Sequence, residues 1–292
     1  MSQEFPLLQR LTAFTDRPEG GNPAGVWIGE ALPSSGEMQR IAAEIGYSET
    51  AFLAPARGPE RTVRYYSPKA EVSFCGHATI ACGVALGRLD GEGVYRLSTS
   101  VGEVPVDVRR KGSLFEAALT SVEPQQRAVG PDLRSEALAC LGWSAEDLDL
   151  SIPPRLAYAG AWHLVLAVRR RETLDSLAYD FDRLDRLMQD AGLTTLQLIQ
   201  RQEPGVFQSR NPFPVGGVVE DPATGAAAAA LGGYLRDAGL IEAPTRFLIH
   251  QGVAMGRPSR LEVEVPASGG ITVSGTAVPI PNPSTSPLET GD

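Results

Sequence analysis

Two stretches of this chain match each other across half its length. FCGHATIACGVAL (Phe74 to Leu86) and the end of VVEDPATGAAAAALGGYL (Val218 to Leu235) align at a constant offset of 149 positions. Gly76 falls on Gly225, His77 on Ala226, Ala78 on Ala227, Ala81 on Ala230, Gly83 on Gly232 and Leu86 on Leu235. An Arg-x-x-x-Pro segment precedes each glycine, Arg64 to Pro68 and Arg210 to Pro214, with three more residues before the second glycine. A repeat of about half the chain constrains the fold to two similar domains, each with a helix of small residues at its centre.

The second copy shows what such a helix offers. Alanine is the best helix former, so Ala226 to Ala230 is expected to be helical, with Thr224 or Asp221 as its N-cap. Small side chains leave the first backbone N–H groups uncovered, and with the helix dipole they make a site for a carboxylate or phosphate. A closely packed core helix is the competing reading, because a helix apolar all round is normally a buried one.

Composition narrows the class. The chain of 292 residues is 42% hydrophobic, enough for a large core and two domains. Its formal charge of −9, with no basic cluster beyond Arg169 to Arg171, argues against a nucleic-acid partner. The opening MSQEFPLLQRLTAF carries charges where a signal core would be apolar, and no eighteen-residue apolar run follows, so neither secretion nor a membrane span is expected. Cys75, Cys82 and Cys140 are too few for a disulfide framework and lack the paired spacing of a zinc site. A reduced cytoplasm, no cofactor and no metal are the expectations.

Runs rich in Val, Tyr, Phe and Thr predict strands at 8–14, 24–28, 50–54, 62–66, 95–99, 104–109 and 114–119. A second set falls at 156–159, 163–168, 195–199, 247–250, 261–265 and 271–273. Helices are expected at 35–45, where Ser34 and Glu37 form a capping box, and at 133–141 and 181–191, besides the two small-residue helices. The polar, Pro-containing run from Ser121 to Pro131 reads as a junction, and Pro279 to Asp292 as a tail.

Four ordered motifs spread over roughly 210 residues carry a family resemblance: GNPAGV (Gly21 to Val26), SETAFL (Ser48 to Leu53), RYYSP followed by FCGHAT, and VVEDPATGAAAA. The set resembles the PhzF-like family of phenazine-biosynthesis isomerases, within the diaminopimelate epimerase-like fold. The resemblance implies an α+β fold of two pseudo-symmetric domains, each a curved mixed sheet wrapped round a central helix, with the active site in the cleft between them. It places the first domain at 1–125, the second at 126–275, and a late strand returning to the first at about 276–285. It also implies a cofactor-independent isomerase that moves a proton between carbons of a small carboxylic acid, and a homodimer.

Glu49 is the catalytic residue the resemblance suggests. A carboxylate at the edge of the apolar run Ala51 to Ala54 would be partly desolvated, which raises its pKa toward the range useful to a general base. His77 falls in the first turn of its helix, where the dipole disfavours an imidazolium. Asp221 followed by Pro222 is either a helix cap or, as the family pattern implies, a site residue opposite Glu49. Gly76, Gly225 and Ala226 are candidates to bind the substrate carboxylate, or the enolate-like charge, through bare amides. Asn22 either closes the same cleft or is a turn residue before Pro23.

Two departures limit the match. Where the phenazine enzymes have Ser after Thr-Gly, this chain has Ala226, which puts an identical substrate in doubt. Related epimerases use one cysteine per domain, yet no cysteine lies near Gly225, so a two-thiol epimerase is excluded. A non-catalytic small-anion-binding protein on the same fold is the alternative, and a hydrolase built on Cys75 and His77 has little support. Pocket walls are expected from segments around Tyr47, Tyr65, Phe207 and Phe213, and the substrate stays open.

Overall fold

A computed structural model describes residues 6–281. Its first half runs β1 (Leu7–Ala13), β2 (Asn22–Ile28), α1 (Ser35–Ile45), β3 (Glu49–Ala54), β4 (Glu60–Tyr66), β5 (Glu71–Val72), α2 (Gly76–Asp90), β6 (Gly93–Thr99), β7 (Gly102–Lys111) and β8 (Leu114–Thr120). There follow β9 (Gln125–Ala128), α3 (Pro131–Leu141), β10 (Arg155–Tyr158), β11 (Trp162–Ala167), α4 (Arg171–Asp175), α5 (Phe181–Ala191), β12 (Thr195–Glu203) and β13 (Val206–Arg210). The chain continues with β14 (Pro212–Phe213), β15 (Val218–Glu220), α6 (Gly225–Asp237), β16 (Thr245–Gln251), β17 (Ser259–Val265) and β18 (Thr272–Pro279).

The strand wiring is the same in both halves. β1–β2, β3–β4, β6–β7 and β7–β8 pair antiparallel, whereas β2–β3 and β4–β6 pair parallel. Further on, β10–β11, β12–β13, β16–β17 and β17–β18 are antiparallel, and β11–β12 and β13–β16 are parallel. A parallel pair needs a crossover. Here α1 and α2 supply it in the first half, α4 with α5 and then α6 in the second.

β18 joins the two runs. It pairs with β17, then with β8 through Thr272 to Thr276, and its last residues, Ala277 to Pro279, pair with β1. β1, β2, β3, β4, β6, β7, β8 and β18 thereby close into a ring of eight strands with α2 packed inside it. From β18 the sheet continues through β17, β16, β13, β12, β11 and β10 to β9, curving over α6.

The core follows from this arrangement. One apolar cluster holds α2, α6 and the inward faces of strands from both halves, from Val26 and Val106 to Val165 and Val263. The opposite faces of β3 and β12 are also covered. Met38 and Ala42 of α1 pack on Trp27 and Phe52, and α3 and α5 pack on Leu164, Leu166, Leu196 and Leu198. Strands covered on both faces read as continuous apolar runs, as AFLA and LVLA do. By contrast β17 alternates, with Leu261, Val263 and Val265 inward and Arg260, Glu262 and Glu264 outward.

The repeated glycines sit where the helices meet the sheet. A Cβ on Gly83 would lie 2.7 Å from Ala117 Cβ and 2.7 Å from Val106 Cγ1; one on Gly232 would lie 2.9 Å from Ile271 Cγ2 and 3.2 Å from Val265 Cγ2. Both glycines therefore allow a close helix–strand approach. Gly83→Val should lower the free energy of unfolding by about 1–3 kcal/mol through overpacking. Gly232→Ala, with a looser fit, should cost less, and chemical denaturation of the two variants checks the order.

Two helices, 35–45 and 181–191, begin and end where the sequence places them, although at Ser34 only one arm of the capping box forms, Glu37 N–H donating to Ser34 Oγ. The short β5, β13, β14, β15 and α4 were not expected. The polar run at 121–131 contains β9, so the expected linker contributes an edge strand. The strand expected at 271–273 and the late strand expected at about 276–285 form one element, β18, up to Pro279; residues from 282 onward, including most of the expected tail, lie outside the described residues. Among the described residues no helix is long and apolar enough to cross a membrane.

Candidate active site

β2 and β3 are parallel, and Ala24 pairs with Glu49, so the starts of both strands fall at one end of the ring. The first turn of α2 opens at the same end, because Cys75, its N-cap, reaches Glu49. The Cys75 thiol donates to Glu49 Oε2 at 3.4 Å, and His77 Nε2 lies 3.3 Å from that same oxygen. The His77 ring also faces Cys75 Sγ, with Nδ1 at 3.4 Å, and Ser48 Oγ lies 3.3 Å from its Nε2. Cys75 and His77 are buried, while the Glu49 side chain keeps 18% of its surface open.

The second half of the chain contributes Asp221. Arg210 and Glu220 form a buried, two-pronged ion pair, with Nε at 3.1 Å and the terminal nitrogen at 2.6 Å from Glu220 Oε2, which ties β13 to β15. Asp221 comes directly after that anchor, and its N–H donates to Asn211 O at 3.0 Å. Asn22 Nδ2 donates to Asp221 Oδ1 at 2.7 Å and to Ala223 O at 3.2 Å, across about two hundred residues of sequence. Thr224 Oγ1 donates to Asp221 Oδ2 at 2.6 Å. Gln251 closes the loop, donating to Asp221 O at 2.7 Å and accepting from Thr224 N–H at 3.2 Å.

Two pKa shifts describe the electrostatics. Burial first, then the neighbouring Glu49 charge, holds the Cys75 thiol well above its ordinary value. It is therefore a protonated donor, not a thiolate nucleophile, which counts against the hydrolase reading. Asp221 is pushed up to about 6, mainly because protein surrounds its carboxyl. His77 and the hydrogen bonds from Thr224 and Asn22 oppose that shift, and Glu49 adds to it. Asp221 thus feels both groups of the opposite half.

The raised pKa carries a stability cost with a definite sign. Between 3.8, the ordinary value, and about 6, native Asp221 keeps a proton that the unfolded chain has lost. Stability from this residue is therefore full below pH 3.8 and declines as pH rises to 6, by about 1.4 kcal/mol per unit and roughly 3 kcal/mol in all. Asp221→Asn does not titrate. Relative to the parent, it should gain up to roughly 3 kcal/mol between pH 4 and pH 6.5 in denaturant unfolding; a pH-independent difference would contradict the assignment.

Several sequence expectations resolve here. Thr224, not Asp221, is the N-cap of α6, although it makes no capping bond to the helix amides. Gly76, Gly225 and Ala226 stay partly exposed, while the turns behind them are buried. The Asn22 amide hydrogens are taken up by Asp221 and Ala223. Two expected pocket walls are core instead: the Tyr65 hydroxyl is bonded to Thr79, and Phe207 packs edge-on against Phe247. Tyr47 and Phe213 are partly exposed. The linear sequence shows no metal-ligand spacing, yet the fold gathers Glu49, Cys75 and His77 so that their donor atoms lie within 4.8 Å of one another.

Other participants carried little signal. Ser48 stands in the SETAFL motif, but Gln251 and Arg257 lie in unremarked segments. Arg257 reaches from the β16–β17 connection to Gly20 O at 2.6 Å, Gly21 O at 2.8 Å and Thr12 Oγ1 at 3.1 Å, and so braces the loop before Asn22. A separate hollow of about 750 Å³ lies on the outer sheet faces among Asp107, Arg109, Arg260 and Glu262. Its charges pair with one another, as in Arg109 with Asp107 and Arg260 with Glu262, and Glu49, Cys75, His77 and Asp221 do not line it.

Comparison with known proteins fits this geometry. Residues 11–282 match the family model described as phenazine biosynthesis-like protein. An uncharacterized isomerase of Bacillus subtilis (strain 168), YfhB, is 30% identical over 92% of this chain and 94% of its own length. The trans-2,3-dihydro-3-hydroxyanthranilate isomerase of Pseudomonas fluorescens is 33% identical over 85% of this chain and 86% of its own. A PhzF-family phenazine biosynthesis protein from Bacillus anthracis superposes with a TM-score of 0.84 at 23% identity, covering 94% of this chain and 96% of that one, and so shares the fold. The chain belongs to the phenazine biosynthesis-like family and is an isomerase of the PhzF-like kind.

Proposed function

We propose that this isomerase shifts a proton between carbons of a small carboxylic acid without a cofactor, with Glu49 as the base that removes the proton and the acid that returns it. The observation that carries this is Glu49 held against Cys75 and His77, with Asp221 of the other half of the chain close enough to interact electrostatically with Glu49 and His77. One oxygen of Glu49 is held by the thiol and the imidazole, which leaves the other to face the substrate. Charge building on the substrate carboxylate as its carbon is deprotonated would be met by the bare amides at Gly76, Gly225 and Ala226. A relative named for isomerising a carboxylated ring supports a substrate of that class.

A single base also fits the repeat. We read the halves as two pseudo-symmetric domains meeting at this site, a reading supported by their identical strand wiring. The two helix glycines agree, as do two Arg–Glu pairs, Arg64 with Glu71 and Arg210 with Glu220, whose glutamates stand at the same 149-residue offset. Glu49 pairs with Ala24 at the start of β3, and the residue in the matching place in β12 is Thr195, paired with His163. His163 is fully buried, bonded to Thr195 Oγ1 at 2.8 Å and pushed down to about 3 by burial, so it stays neutral. The second half thus holds no partner base there. Inverting a carbon centre takes an acid and a base on opposite faces, whereas moving a proton along one face needs one carboxylate.

Incubating the protein with candidate acids in deuterated water tests this. An isomerase should wash deuterium into a carbon-bound position, and a non-catalytic binding protein should not. Binding of such acids without exchange would favour the second reading, for which Ala226 in place of the family serine is the motive.

A further inference from the structure

We infer that Glu49, Cys75 and His77 form a three-donor site for a divalent cation of the zinc type, and that this ion and the substrate exclude each other. Zinc takes thiolate sulfur at about 2.3 Å and imidazole nitrogen or carboxylate oxygen at about 2.0–2.1 Å. In a tetrahedron, sulfur then lies about 3.5 Å from the nitrogen or oxygen, and those two lie about 3.3 Å apart. The three atoms already stand close to such a face, with Nε2–Oε2 at 3.3 Å, Sγ–Oε2 at 3.4 Å and Sγ–Nε2 at 3.8 Å. A small turn of the His77 ring closes the longest edge.

Donor chemistry selects the ion. Sulfur and imidazole suit zinc, whereas magnesium and calcium take oxygen ligands. Cys75 and His77 are more than nine-tenths buried, so few waters need to leave them, and exposed Ser48, its Oγ 3.3 Å from His77 Nε2, borders the cluster on the solvent side. On binding, the Cys75 S–H bond breaks, its proton passes to solvent and the sulfur lone pair goes to zinc; no electron is transferred. Two anionic donors then balance the double charge of the ion.

Exclusion rests on the reading of Glu49 as the base, since a carboxylate bound to zinc cannot also accept a carbon-bound proton. The binding itself does not depend on that reading. Zinc acts here as an inhibitor, and the proton shift runs on the zinc-free chain.

The test begins with zinc alone, titrated into the full chain against a chromophoric chelator without substrate. One ion per chain is expected, undisturbed by millimolar magnesium. Cys75→Ser and Glu49→Gln should each weaken it by about tenfold or more, with melting temperatures showing that both variants are folded. Cys82→Ala, a buried cysteine of the same helix outside the cluster, should bind as the parent does. No bound ion in the parent, or parent-like affinity in both Cys75→Ser and Glu49→Gln, overturns the site. In the deuterium assay zinc should stop exchange and chelator restore it; undiminished exchange by the zinc-loaded chain overturns exclusion. If the zinc-free chain exchanges no acid, the proposed function fails, while the titration still decides the site.

Discussion

Glu49→Gln should lower the rate of deuterium exchange on the true substrate by about 10²-fold or more while leaving the melting temperature nearly unchanged. Glutamine is isosteric, and its carbonyl can still accept the Cys75 thiol proton that Glu49 Oε2 accepts now. Only the ability to hold and release a proton is removed. A carboxylate whose sole task was to satisfy that thiol and the His77 ring would give the reverse pattern, with full turnover and any damage confined to stability. Asp221→Asn provides the contrast. Its amide oxygen still accepts from Asn22 Nδ2, and its NH2 can donate to Thr224 Oγ1, whose hydroxyl also accepts, so a fall in turnover there would report on charge facing the substrate. Full activity in Glu49→Gln would sink the mechanism and leave the fold assignment untouched.

Asp90→Ala should destabilise the protein by about 3–5 kcal/mol, the range for removing one partner of a buried ion pair. Arg61 is 1% exposed, and its guanidinium donates to Asp90 Oδ2 at 2.8 Å and to Ala56 O at 3.3 Å. Burial draws its pKa below the ordinary value, and the Asp90 charge works against that. Without Asp90 the cation would stay inside with only carbonyls to meet it. Asp90 ends α2, so the pair also pins the far end of that helix to β4, with Arg57 on its outer oxygen at 2.7 Å. The double variant Arg61→Met, Asp90→Ala should recover most of the loss, because a matched apolar pair carries no stranded charge. A double variant as unstable as Asp90→Ala alone would show that packing, not charge, holds the position.

Much of this was legible in the sequence because the signals were local. Helix 181–191 has an Asp180 cap, an apolar stripe and Gly192 in the left-handed region at its end, each readable within a dozen residues. Strands such as β17 announce themselves by alternation. The repeat was visible in part because Gly83 and Gly232 both stand where the inner helices press on the sheet. What was missed depends on distant partners. β13, with the sequence VFQSR, carries the polar Gln208, Ser209 and Arg210, and what makes it a strand is its pairing with β12 on one side and with the distant β16 on the other. In the site, Glu49 and His77 were accessible through their motifs. The Cys75–Glu49–His77 contact and the Asn22–Asp221 bond were not, because they join segments 26 to 199 residues apart.

The double duty of β18 bears on how the chain is made. Because Thr272 to Pro279 supply the strand between β8 and β1, the first ring lacks one stave until nearly the whole chain has left the ribosome. The β1–β18 register joins residues more than 260 positions apart, a loop whose closure must precede the contacts that reward it. Until then β1 and β8 present unpaired edges, the kind of surface on which nascent chains associate wrongly. Synthesis of the first 125 residues alone should therefore yield an open, aggregation-prone sheet, which regains solubility when a peptide covering 270–281 is supplied in trans.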